Sequence, residues 1–245
     1  MVDLDLDLAY IISKIKNDGF CLIENFIKFD AVNKARSEYF SSMDILVKHP
    51  QGEKFLPQKL NAAPWRKLAI GSKSGSGESY SQVLQTTYFS QNDSNYPALI
   101  NIFNVMIKIR NNLTGMRDDY GSDLSGDEFW NACRVHHYPK GGGHMASHRD
   151  TLFPKLLGEF EIPFVQIMVT LSERERDFNS GGGYIQKNDG DKFFFESSSN
   201  EGSLVLFDGS TIHGVDDVDS NKVIDFDSNT GRIALFVNLY ENKSK

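Results

Sequence analysis

The sequence predicts a mainly β fold with flanking α-helices: a double-stranded β-helix, or jelly roll, braced by N-terminal helices. Three observations predict it. After residue 128 the chain breaks into six short apolar runs separated by Gly, Asn and Asp turns, the pattern of an antiparallel sandwich or barrel. Before residue 43 the apolar residues fall instead at helical spacing. No internal repeat divides the chain. A chain of 245 residues is within the range of one all-β domain. We therefore expect a single domain over 1–245, with 1–127 a helical and loop scaffold and lid and 128–245 the jelly-roll core.

Taken in order, Leu8, Ile11, Ile12 and Ile15 form the stripe of a helix over about 5–17, which Gly19 ends. Residues 20–27, Phe-Cys-Leu-Ile-Glu-Asn-Phe-Ile, read as a strand. Asp30 is placed to cap a second helix that carries Ala35, Tyr39 and Phe40 to about Met43. Residues 48–95 are rich in Pro, Gly, Ser and Gln. A structureless stretch of that length inside a domain is expected to be a lid or binding loop. Leu99, Ile102, Phe103, Met106, Ile107 and Ile109 give a third helix over 96–114, followed by a polar turn region over 118–127. The predicted strands are 130–138, 164–172, 183–186, 192–196, 203–208 and 232–240.

Composition narrows the function classes. A net charge of −7 argues against a nucleic-acid backbone as partner, since such partners are met with excess Lys and Arg. Between residues 48 and 73 the sign reverses locally, with Lys48, Lys54, Lys59, Arg66, Lys67 and Lys73 against Glu53. That run is a solvated loop face or a rim that attracts an anionic substrate. Cys21 and Cys133 lie in apolar strand-like runs, which suits buried free thiols in a reducing cytoplasm. The acidic N-terminus is no targeting signal, and no apolar run approaches the ~20 residues of a membrane span. The expectation is a soluble cytoplasmic protein.

The chemistry concentrates in His144-Met-Ala-Ser-His148-Arg-Asp150, just after Gly141, Gly142 and Gly143. His148 and Asp150 are spaced i, i+2, so on extended backbone their side chains leave from one face. His213, beyond the apolar run 203–208, is the candidate third ligand. Two histidines and one carboxylate with open positions suit non-haem Fe(II). His144 pairs with His148 only on a helix, which the glycines oppose. His136 shares a strand face with Arg134 and Tyr138, facing the pocket without binding metal. On the last strand Ile233, Leu235, Val237 and Leu239 form one face, and Arg232, Ala234, Phe236 and Asn238 the other. If the second face points into the barrel, Arg232 needs an anionic partner there.

Residues 130–241 resemble the Fe(II)/2-oxoglutarate-dependent dioxygenases. The family's elements occur in order: Tyr138-Pro139, a Gly turn, His148-x-Asp150, the strand 165–171, Gly181-Gly-Gly183, the strand after Gly202, His213 and Arg232. Residues 20–26 and the following helix also resemble the isopenicillin-N-synthase-like branch, and the Tyr-Pro…His-x-Asp strand equally resembles the prolyl-hydroxylase-like branch. The resemblance implies Fe(II) on His148, Asp150 and His213, and 2-oxoglutarate with its far carboxylate on Arg232, assisted by Tyr138 and Thr170. It implies O₂ as oxidant and hydroxylation of an unactivated C–H bond. Related halogenases lack the carboxylate that Asp150 supplies. Demethylases of nucleic acid carry a second Arg six residues after the first, where this chain has Asn238.

The sequence departs from compact relatives in a longer insertion over 151–163 and an acidic segment over 216–227. The first is placed to shape substrate access, the second to form a solvated hairpin. The substrate expected is a small polar metabolite such as an amino acid, contacted by Arg134, Gln166, Asn238 and Arg66. The alternative is a prolyl-type protein side chain. The competing class is a jelly roll that binds metal or ligand without catalysis.

Overall fold

A computed structural model describes residues 6–43, 47–48, 57–73, 79–150, 164–187 and 190–242. In chain order the elements are α1 (Leu8–Asp18), β1 (Phe20–Ile23), α2 (Phe29–Ser42), β2 (Val47–Lys48), β3 (Trp65–Ala69), β4 (Ser72–Lys73), β5 (Ser79–Gln82), β6 (Leu84–Phe89) and α3 (Pro97–Leu113). There follow β7 (Phe129–Pro139), β8 (His144–His148), β9 (Val165–Thr170), β10 (Gly182–Gln186), β11 (Lys192–Phe194), β12 (Leu204–Asp208), β13 (His213–Asp216) and β14 (Gly231–Glu241). Short 3-10 turns sit at Pro57–Asn61 and Phe195–Ser197. The insertion 151–163 lies outside the described residues.

Two sheets face each other as a jelly roll. The larger has strand order β1-β12-β9-β14-β7-β6-β3-β2 and the smaller β11-β10-β13-β8-β5-β4. Apart from the β10–β11 hairpin, successive strands of the core alternate between sheets, so β7, β9, β12 and β14 build one wall and β8, β10, β11 and β13 the other. Period-two alternation then sorts the side chains. On β14, Ile233, Leu235 and Val237 join Cys133, Val135, Ile167 and Val169 under the helices, where Ile11, Tyr39, Leu99, Phe103 and Met106 are buried. Arg232 and Phe236 face the barrel interior instead. Each large side chain buried in the helical layer contributes about 1.5–3 kcal/mol, so the helices hold the large sheet from behind while its inner face stays free for polar groups.

The helices end for local reasons. Asp7 caps α1 by accepting the Tyr10 N–H at 2.9 Å, and Gly19 closes it at φ 86°. The carboxylate of Glu38 on α2 accepts the N–H groups of Ala98 and Leu99, both at 2.9 Å, capping α3 behind Pro97. Asp30 lies within the first turn of α2 rather than at its cap, which is Lys28 without a side-chain bond. The first strand stops at Ile23 because Asn25 turns the chain at φ 54°.

The structureless stretch expected over 48–95 does not describe 65–69, 79–82 and 84–89, which are strands. β6 extends the large sheet from β7, and β3 pairs with β6. Leu-Gln-Thr-Thr-Tyr-Phe already carried a strand signal in its β-branched and aromatic residues. Among the described residues no helix is long and apolar enough to cross a membrane.

Candidate metal centre

His148 ends β8 and His213 begins β13, and the two are paired directly across the small sheet. Just past β8, the Asp150 N–H donates to the Gly209 carbonyl at 2.8 Å, tying the His-x-Asp turn to the loop that leads into His213. The ligand atoms of His148, Asp150 and His213 all lie within 4.8 Å of one another. Each imidazole Nε2 stands 3.7 Å from a different oxygen of Asp150. Metal bonds of ~2.1 Å place neighbouring ligands roughly 3 Å apart, so a small inward movement closes the set around an ion.

The backbone fixes the tautomers. His148 Nδ1 donates to the Ala146 carbonyl at 2.8 Å, and His213 Nδ1 to the Thr211 carbonyl at 2.9 Å. Both Nε2 lone pairs therefore face Asp150. Burial, reinforced by His148, pushes the His213 pKa down to about 4, so the ring is neutral as a ligand must be.

His144 is turned away by a bulge. Met145 pairs with Val215 and His148 with His213, so Ala146 and Ser147 lie opposite the single Gly214. A regular strand places residues i and i+4 on one face; the extra residue reverses this. His144 instead bonds Asp217 at 3.1 Å and Ser79 at 3.3 Å outside the barrel.

The three residues line a cavity of about 510 Å³ between the sheets. Tyr138 and Arg232 are cross-strand partners at one end of it. Arg232 is 1% exposed, and its Nε pairs with the buried Glu196 at 2.8 Å. The Gly183 N–H donates to the same carboxylate at 2.6 Å. Arg232 Nη1 and Tyr138 Oη are buried with no partner among the described residues. The inward arginine thus meets its anion inside the protein, in Glu196, while one edge of its guanidinium stays open. Nothing in the sequence singled out Glu196: it ends the run Phe193-Phe-Phe-Glu196, and only folding of the 3-10 turn brings it to Arg232. Gly183 fits by necessity, because a Cβ there would stand 2.6 Å from Arg232 Nη2 and 2.2 Å from Phe195.

His136 lines the cavity between Arg134 and Tyr138, its ring 4.5 Å from that of Phe236. Burial, then the charges of Arg134 and Arg232, hold its pKa well below the ordinary histidine range.

Four expected site residues have hydrogen-bond partners within the chain. The Thr170 hydroxyl lies outside the cavity lining, donating to the Asn200 carbonyl and accepting the Ser203 N–H, both at 3.1 Å. It fastens the turn that leads into β12. Arg66 is outside that lining too, bonding Gln85 at 3.2 Å, because alternation along β3 gives the cavity Lys67 instead. Gln166 lines the cavity but donates to Asp150 and accepts from Asn238. Asn238 is wholly engaged between Gln166 and Arg134.

No family model matches the sequence, and no curated protein matches it. Solved structures do. A prolyl hydroxylase from Trichoplax adhaerens, solved with a peptide fragment of the hypoxia inducible factor oxygen degradation domain, superposes with a TM-score of 0.56 at 13% identity, covering 96% of this chain and 90% of that one. A prolyl-4-hydroxylase from Pseudomonas putida gives 0.56 at 15% identity, covering 96% and 98%. At such identities the likeness shows the fold. Both neighbours are prolyl hydroxylases, so the expected mixture with the isopenicillin-N-synthase-like branch is withdrawn.

Proposed function

We propose that this chain is an Fe(II)- and 2-oxoglutarate-dependent dioxygenase that hydroxylates an unactivated C–H bond. One observation carries the reading: the His148, Asp150 and His213 ligand atoms converge in the same cavity that ends on two buried, unpartnered donors. Two imidazole nitrogens and one carboxylate fit Fe(II). The open edge of Arg232 and the Tyr138 hydroxyl fit a carboxylate, which accepts from both.

In this reading His148 Nε2, His213 Nε2 and one oxygen of Asp150 hold the metal. Arg232 Nη1 and Tyr138 Oη receive the distal carboxylate of 2-oxoglutarate. When bound, metal and co-substrate supply the oxidising chemistry, in which O₂ gives one oxygen atom to succinate and one to the substrate, with release of CO₂. The chain orients and shields. Glu196 holds the Arg232 guanidinium from one side, the backbone carbonyls of Ala146 and Thr211 keep both imidazoles in one tautomer, and Met168, Phe207 and Phe236 keep water from the inner wall.

The substrate proposed is a small polar metabolite such as an amino acid, supported by the polar cavity wall to which Lys67 and Thr86 contribute. A prolyl side chain in a polypeptide is the second reading, favoured because both structural neighbours are prolyl hydroxylases. We also propose that residues 1–245 act as one domain, in a reducing compartment that suits the buried free thiols Cys21 and Cys133. The test is succinate release under Fe(II), 2-oxoglutarate and O₂ with pooled amino acids in one arm and proline-containing peptides in the other. Release in either arm assigns the substrate class. No succinate in either arm, with no visible absorption band on anaerobic mixing of Fe(II) and 2-oxoglutarate, removes the enzyme.

A further inference from the structure

Asp150 is the most exposed of the three candidate ligands, its side chain 34% accessible against 13% for each histidine. Each histidine is oriented by a backbone carbonyl two residues before it, Ala146 or Thr211; Asp150 is oriented from across the barrel. Gln166 on β9 donates its Nε2 to Asp150 Oδ2. Asn238 on β14 donates to Gln166 Oε1 at 2.7 Å, and Arg134 on β7 donates to Asn238 Oδ1. These three strands are consecutive in the large sheet. Arg134 is itself held, with Nη1 on the Tyr240 hydroxyl at 2.8 Å and its guanidinium 5.3 Å from the Tyr240 ring centre.

The sense of this chain is dictated at both ends. A guanidinium has no acceptor and a carboxylate has no proton to give. Asn238 must therefore present its oxygen to Arg134 and its NH₂ to Gln166, and Gln166 must present its oxygen to Asn238 and its NH₂ to Asp150. Neither amide can turn over without setting donor against donor. Every bond points from cation to anion, so each polarises the next.

We propose that Gln166, locked by Asn238 and Arg134, is the positioning residue of Asp150: it engages Oδ2 and leaves Oδ1 as the single oxygen offered to the metal. The inference rests on the reading of His148, Asp150 and His213 as a metal site, and it gives three residues expected to touch substrate a different task. Partners of this kind, one bond removed from a ligand, alter metal affinity by ~10–100-fold.

The test is Mn(II) binding by calorimetry and electron paramagnetic resonance, which needs no turnover. Gln166→Met keeps the side-chain length and removes the donor; Gln166→Asn keeps an amide too short to reach both partners and serves if the first variant does not fold. Either is expected to weaken Mn(II) about 10–100-fold and to change the resonance line shape in a protein that still melts cooperatively, a few degrees lower because Asn238 loses its buried acceptor. Asn238→Leu is expected to weaken Mn(II) alone but to add little in the Gln166→Met background, because it acts through the same bond. Wild-type binding with unchanged affinity and line shape in a folded Gln166 variant overturns the positioning role and returns Gln166 to the cavity wall as a substrate contact. Absence of Mn(II) binding by the wild type overturns the metal reading itself.

Discussion

Replacing Glu196 by Gln tests the buried end of the cavity without altering its shape. Glu196 and Arg232 are 4% and 1% exposed, and Nε lies 2.8 Å from the carboxylate. An amide oxygen at the Oε2 position can still accept from both Arg232 Nε and the Gly183 N–H, but the guanidinium loses its only acidic partner among the described residues. Breaking a buried pair in this way costs about 3–5 kcal/mol. In a chain of this size each kcal/mol moves the melting temperature by roughly 2–4 °C, so Glu196→Gln is expected to melt about 6–20 °C lower in a thermal scan. Saturating Mn(II) and 2-oxoglutarate should narrow that gap, because the ligand's carboxylate supplies the missing anion. A fall of less than about 2 °C, a step smaller than the lower bound from the same constants, would refute the argument that Arg232 depends on Glu196.

Three further outcomes follow from the same geometry. Tyr138→Phe removes a buried hydroxyl that has no partner among the described residues, so ligand-free stability should hold or rise; calorimetry should show 2-oxoglutarate binding weakened roughly 10-fold or more, the worth of one hydrogen bond to a charge. Burial, offset by the Thr230 carbonyl, drives the His137 pKa down to about 4, below its unfolded value of ~6.5. The unfolded chain then binds the extra proton, so this stability is fully present above pH ~6.5 and is lost as pH falls toward 4, by about 3 kcal/mol. Urea midpoints at pH 7 and 5 should separate less in His137→Gln than in wild type; an equal separation contradicts the assignment. Gly181 opens β10 at φ 74°, and a Cβ there would stand 2.1 Å from the Asp217 carbonyl oxygen. Gly181→Ala should cost about 2–5 kcal/mol through left-handed strain and overpacking, and a denaturant midpoint near wild type would contradict that.

The sequence by itself determined the large elements and singled out the candidate metal ligands. Helical spacing located α1 and α3 to within a few residues, and alternation on 232–240 separated the helix-facing from the barrel-facing side of β14, because both patterns are written in consecutive residues. The cluster of His148, Asp150 and His213 was legible because metal-type donor atoms are carried by few residue types. What tertiary structure alone decided was the fate of polar side chains whose partners are distant in sequence. Strand β6 carried a local strand signal, but its place beside β7 in the large sheet was decided only by pairing. The bulge opposite Gly214 turned His144 outward, and a strand register depends on both strands at once. Glu196 reached Arg232 across 36 residues, and Gln166 met Asn238 on the neighbouring strand and Asp150 from the facing sheet. Hydrogen-bonding capacity belongs to a residue, but which groups satisfy it is fixed only when two sheets close on each other and bring distant residues together.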